Sequence, residues 1–123
     1  MNLKYFGHQY DRIDGGFGWS GAVRDAENRL GRLAVFRSKS DLNEALELFS
    51  IPSGWNYFIG LRRDDENSPW KWIDGSPLNY DWWAPGWPST TSRYGIIEHI
   101  PPHKYVGGRQ NQPQNGYIIQ YKT

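Results

Sequence analysis

The stretch from Phe58 to Pro88 constrains this chain more than any other. Phe58-Ile59-Gly60-Leu61 is followed by Trp70-Lys71-Trp72-Ile73-Asp74-Gly75 and then by Tyr80-Asp81-Trp82-Trp83-Ala84-Pro85-Gly86-Trp87-Pro88. Five of the chain's seven tryptophans stand in it, separated by glycine and proline punctuation. An ordinary hairpin cannot cover that much rigid, amphipathic ring surface. The rings therefore either build a core under a long irregular loop or stand out from that loop toward a partner.

At 123 residues the chain suits a single domain, 1–123, able to bury roughly two-thirds of its unfolded surface. Aromatic content is high for a modest apolar total, so a few large rings carry the core. The net charge is +1 with both signs interspersed. That gives no basic stripe for nucleic acid and no basic amphipathic helix for a membrane. No run approaches a bilayer span, and the N-terminus shows no charged-then-apolar leader. Both a cytosolic chain and a module of a larger or processed protein fit those facts. With no cysteine, disulfides, thiolate catalysis and zinc–sulfur sites are excluded.

Tyr5 to Tyr10 reads as a short strand ended by Asp14-Gly15-Gly16. Trp19, Ala22, Ala26 and Leu30 share one face of a helix, and Gly31 is expected to stop it. Leu33 to Phe36 is a brief buried strand. Ser38 or Ser40 caps a second helix with Leu42, Ala45, Leu46 and Phe49 facing inward, closed by Pro52-Ser53-Gly54. Tyr57–Leu61 and Trp70–Ile73 pair across a charged turn, and 75–92 is a long loop rich in Pro, Ser and Thr. Strands follow at Tyr94–Ile97 and Tyr117–Tyr121. Helices early and strands late make an α+β domain, and a loop this long usually has a function.

In that order and spacing, these elements resemble a C-type lectin-like domain from Tyr5 to Tyr121. Trp19-x-x-Ala22-x-x-x-Ala26 with Leu30-Gly31-x-Leu33-Ala34 is similar to the family's first helix and next strand. Phe58-Ile59-Gly60-Leu61 is similar to its central strand, with Phe for the usual Trp. Trp70-x-Trp72-x-Asp74-Gly75, Tyr80-x-x-Trp83-x-x-Gly86-x-Pro88 and Gly116-Tyr117-Ile118-Ile119 match its later strand, long loop and closing strand. The resemblance implies two helices packed on antiparallel sheets with a long ligand loop. It also implies an extracellular or surface-exposed setting within a larger protein; cysteine-free variants of this kind belong to a bacterial or viral type.

Two departures matter. The family commonly joins its first helix to its last strand by a disulfide, and the matching positions here are Ala26 and Ile119. In the chain-entropy model that bridge contributes about 4–5 kcal/mol. A buried Ile against Ala recovers roughly 2 kcal/mol. The second departure concerns calcium. Sugar-binding members hold the ion with an acidic or amide triplet around the loop proline and with a later Trp-Asn-Asp. Here the first reads Trp87-Pro88-Ser89, and the second is Gln110-Asn111-Gln112 or, in another register, Tyr105-Val106-Gly107. Calcium takes six to eight oxygens, usually with negative charge among them. Ser92 and Arg93 stand where acidic residues are common, and a cation there repels the metal. The expectation is that no calcium site exists and no cofactor is needed. The resemblance also implies a cis Trp87–Pro88 bond with the Trp87 ring turned outward.

Trp70, Trp72 and Trp83 lie on framework positions and read as core. Trp82 and Trp87 replace usually polar residues, and two readings stand: exposure for recognition, or folding back to cover the loop. Arg93, Arg109, Asn111 and Gln112, with Ser89, would line the same rim as hydrogen-bonding groups or as plain solvated polarity. Pro101-Pro102 excludes a helical His99/His103 metal pair. Asp64, Asp65 and Glu66 read as a solvated turn, His8 as structural, and no Gly-x-Ser-x-Gly elbow, P-loop or dinucleotide fingerprint appears. The expected function is non-catalytic, calcium-independent recognition of a carbohydrate, with Trp82 and Trp87 stacking. The alternatives are a cell-surface protein partner, as in adhesion or receptor recognition, and a structural module of a larger surface protein.

Overall fold

The computed structural model describes residues 6–47, 54–98, 104–109 and 113–122; of Phe6, His8 and 104–109 only the backbone is described. Along the chain run β1 (Phe6–Phe17), α1 (Trp19–Asn28), β2 (Gly31–Leu33), α2 (Lys39–Glu47), β3 (Asn56–Arg62), β4 (Lys71–Trp72), β5 (Ser92–Glu98), β6 (Lys104–Arg109) and β7 (Gln114–Lys122). They make one sheet in the order β1-β7-β3-β5-β6, with β2 added to β7 and β4 to β3. The architecture is the expected α+β, with one difference: β3 and β7 run parallel through Tyr57 and Phe58, so the sheet is mixed. The two end strands β1 and β7 pair along most of their length.

Several boundaries moved. The first strand continues through Asp14-Gly15-Gly16 to Phe17, because β7 supplies partners for Asp14 and Phe17 across an irregularity. Asp14-Gly15 is therefore a bulge in a ladder, and no turn forms there. The first helix buries Trp19, Ala22 and Ala26 but ends at Asn28. Leu30 is 63% exposed and takes the left-handed backbone itself, with φ 61°. Gly31 serves another purpose: a Cβ there would lie 2.8 Å from the Gln120 carbonyl of β7. The expected strand at Leu33–Phe36 is β-paired only to Leu33, although Ala34, Val35 and Phe36 are buried. Strand β6, which the sequence did not suggest, pairs along β5.

Ser38 is the cap of α2, its Oγ accepting from the Asp41 backbone N–H at 3.1 Å. Leu42 and Ala45 face inward as expected; Phe49 and Pro52-Ser53 lie outside the described residues. Two apolar clusters result. One gathers Phe36, Leu42, Tyr57, Leu61, Trp72 and Trp82. The other sets Trp19, Ala22 and Ala26 of α1 against Phe58, Tyr117 and Ile119. Ala26 and Ile119, the pair standing where the family places its disulfide, are both fully buried there. Trp19 adds a hydrogen bond to the Ile59 carbonyl (3.2 Å) and stacks on Tyr94 at 4.8 Å.

Candidate functional site

The long loop leaves β4 through a tight turn, in which the Trp72 N–H donates to Ser76 O at 2.8 Å. It then crosses the first cluster. Tyr80 donates to Phe36 O (2.8 Å), and Lys39 Nζ to Asp81 O (3.0 Å). The next residue is a correction to the sequence reading: Trp82 is 0% exposed. Its ring meets Trp83 edge-on at 4.7 Å, and Trp83 leans on Trp70 at 4.6 Å. Buried ring area of this size outweighs any gain from display in water. Trp82 therefore folds back as structural cover and cannot stack on a ligand in this conformation.

Trp87 takes the other course. The Ala84–Trp87 turn closes with the Trp87 N–H donating to Ala84 O (3.1 Å). Gly86 occupies φ +85°, a conformation glycine adopts without penalty. The Trp87–Pro88 bond is cis, and the Trp87 side chain is 39% exposed. It is the exposed tryptophan of the loop.

Beyond Pro88 the loop returns to β5 through a polar knot. Ser89 N–H donates to Ser92 Oγ (3.1 Å), the two hydroxyls lie 3.0 Å apart, and Ser89 Oγ is 3.1 Å from Thr91 Oγ1. Two guanidinium groups hold the carbonyls of this knot. Arg63 Nη2 donates to Ser89 O at 2.7 Å and Nε to Ser92 O at 2.9 Å. Its Nη1 reaches Glu66 O across the charged turn (3.2 Å), and its face lies 4.8 Å from the Trp70 ring centroid. Arg93 Nη1 donates to Thr90 O (2.8 Å) and Ser92 O (2.9 Å). Burial first, and then the charge of Arg93, lowers the Arg63 pKa from its ordinary value. Arginine remains charged under such shifts.

The site residues expected from sequence thus meet different fates. Ser89 and Arg93 both join the knot at the loop's return, and Trp87 stands just before it on the same loop. The backbone of Arg109 joins them, paired with Ser92 across β5 and β6. Gln110, Asn111 and Gln112 lie outside the described residues, as do His99 and His103. Sequence reasoning missed Arg63, placing it in a solvated turn. A cation beside a loop poor in acidic residues was the available signal. The turn itself carries an Arg62–Asp64 ion pair, and Asp65 accepts from Asn67 N–H and Ser68 Oγ. Among the described residues no group of three His, Cys, Asp or Glu could hold a metal ion. No helix among them is long and apolar enough to cross a membrane.

Comparison with known proteins agrees with this fold. The family model described as the lectin C-type domain matches residues 17–104. C-type lectin domain family 2 member D11 of Rattus norvegicus is 28% identical over 109 residues, covering 85% of this chain and 49% of that protein. The chain thus spans about half the length of this relative. Among solved structures, the C-type lectin domain of murine dendritic cell inhibitory receptor 2, in complex with N-glycan, superposes with a TM-score of 0.79 at 21% identity, over 93% of this chain and 90% of the other. The cow carbohydrate-recognition domain of CD23, in the presence of GlcNAc2Man3 oligosaccharide, gives 0.78 at 22% identity, over 93% and 87%.

Proposed function

The chain belongs to the C-type lectin domain family, and from that premise we propose that it is a non-catalytic recognition module binding carbohydrate through its long loop without calcium. One observation carries the reading. Just after the exposed Trp87, the carbonyls of Ser89, Thr90 and Ser92 already accept hydrogen bonds from Arg63 and Arg93. Calcium would have to displace two fixed positive charges and recruit neutral oxygens engaged with each other. Among the described residues the donor set argues against the ion.

In this reading Trp87 stacks on the apolar face of a sugar ring. Arg93 spends Nη1 on the loop, which leaves Nε and Nη2 to donate to ligand hydroxyls or a carboxylate. Ser89 shapes the polar rim; the sequence expectation adds Arg109, Asn111 and Gln112 to it, whose side chains lie outside the described residues. The relatives are binding domains and receptors, which supports recognition as the activity. The second reading, a protein partner, draws on the internal bonding of the Ser89 hydroxyl, which leaves an apolar anchor with fewer free polar groups around it.

A glycan array run with and without a chelator tests the proposal. Binding unaffected by chelation and abolished in Trp87→Ala is the expected result. Calorimetry showing a micromolar calcium site, or sugar binding lost with the chelator, overturns it. A blank array alongside a nanomolar protein partner selects the second reading.

A further inference from the structure

A second cleft lies at the base of the long loop, away from the Arg63 knot. Arg37, Trp72, Ser76, Pro77 and Asn79 line a cavity of about 290 Å³. Ligand pockets begin at about 300 Å³, so this one suits a single sugar-sized molecule.

Asp74, in the turn after β4, has its carboxylate oriented by Ser76 from both backbone N–H (2.9 Å) and hydroxyl (2.6 Å). Those two bonds occupy Oδ1. Oδ2 accepts from Arg37 Nη2 at 2.6 Å, with the Asp74 side chain 13% exposed and that of Arg37 62% exposed. Arg32 approaches the same carboxylate at 4.0 Å. Two guanidiniums therefore approach one carboxylate, and of the two the Arg37 head is the exposed one. Holding one edge of that fork on a fixed acid leaves the rest of its N–H donors preset for a second, external carboxylate. The Asn79 amide makes no hydrogen bond among the described residues and offers a donor and an acceptor across the cleft. Pro77 supplies apolar surface beside them, and Trp72, only 2% exposed, closes the floor.

We propose that this cleft binds a small carboxylate-bearing ligand of the size and chemistry of one hexuronic acid. The acid group sits on Arg37, the ring lies against Pro77, and Asn79 hydrogen-bonds a hydroxyl. The site is independent of Trp87 and of the reading of the loop rim.

The test is a titration of the isotope-labelled chain followed by NMR, with glucuronate, glucose and acetate as probes. Glucuronate is expected to shift the Arg37 and Asn79 side-chain signals in saturable fashion, well ahead of glucose or acetate. Arg37→Gln weakens it about tenfold, the value of one charge-assisted contact. Asn79→Ala weakens it less, and Trp87→Ala leaves it unchanged. Arg37 is exposed, so an unaltered spectrum elsewhere verifies that the variant folds. Glucose or acetate binding as well as glucuronate overturns the proposal. So does glucuronate binding that survives Arg37→Gln, or shifts that centre on Trp87.

Discussion

Two tie points of this fold use opposite chemistry. Where the first helix meets the last strand, Ala26 and Ile119 are sealed in an apolar cluster. Where the long loop meets β5, guanidinium groups grip backbone carbonyls. These are the two places at which the family resemblance would put a disulfide and a calcium ion. Apolar contact is non-directional and suffices where a helix and a strand already present complementary faces. A loop without regular structure has its own peptide groups to satisfy, so there directional, charge-assisted bonds decide the shape. The same division runs through the aromatic segment, with Trp82 packed away and Trp87 left in water.

Substitutions can sharpen or break that contrast. The largest effect is expected at the sealed side of the loop: Trp82→Ala should cost about 3–5 kcal/mol in chemical denaturation, because a fully buried ring leaves a cavity. A cost below about 1 kcal/mol would mean that Trp82 is not core. At the helix–strand tie, Ile119→Ala should cost about 2–4 kcal/mol, and calcium or chelator should make no difference to it.

Arg63→Ala addresses the polar tie. Its bonds to Ser89 O, Ser92 O and Glu66 O predict a loss of about 2 kcal/mol, with faster proteolysis confined to 84–92. The wild-type loop should resist the protease equally with calcium and with chelator. Protection that rises on adding calcium would return the loop to metal control.

Acid should loosen both ties' neighbourhoods moderately. Asp25 has a lowered pKa, first because Tyr117 donates to it and then because Arg29 does, against opposition from burial. At Asp74 burial raises the pKa, but Ser76, Arg37 and Arg32 outweigh it and the net shift is downward. Folded carboxylates of lowered pKa add stability that is present above the unfolded value, near 4, and is lost as pH falls through the folded value. Stability should therefore decline below about pH 4, less so in Asp25→Asn. On the alkaline side, burial raises Tyr10 to about 12, so stability should fall between pH 10 and 12, read by tyrosinate absorbance. The smallest change belongs to Trp87→Ala, expected within about 0.5 kcal/mol of wild type while ligand binding is lost.

Much of the scaffold was legible. Leu42 and Ala45 at helical spacing, the Ser38 cap and the strand Phe58-Ile59-Gly60-Leu61 all follow from local periodicity and capping chemistry. Leu30 was misread because the four-residue spacing of Trp19, Ala22 and Ala26 continues past the point where the backbone turns left-handed. Strand β6 has only Tyr105 and Val106 as strand formers before its paired glycines, too short a run to read alone, and its β pairing is with β5.

What the sequence by itself determined was the class of fold, the position of the long loop, and the loss of acidic groups from it. Only the tertiary structure decided which tryptophan is sealed and which is open, since Trp82 and Trp87 share the same loop and the same composition around them. It also assigned Arg63 its task, because the carbonyls it holds are 26 and 29 residues away along the chain. Burial and long-range hydrogen bonding depend on what the rest of the chain brings alongside, and no local pattern encodes that neighbour.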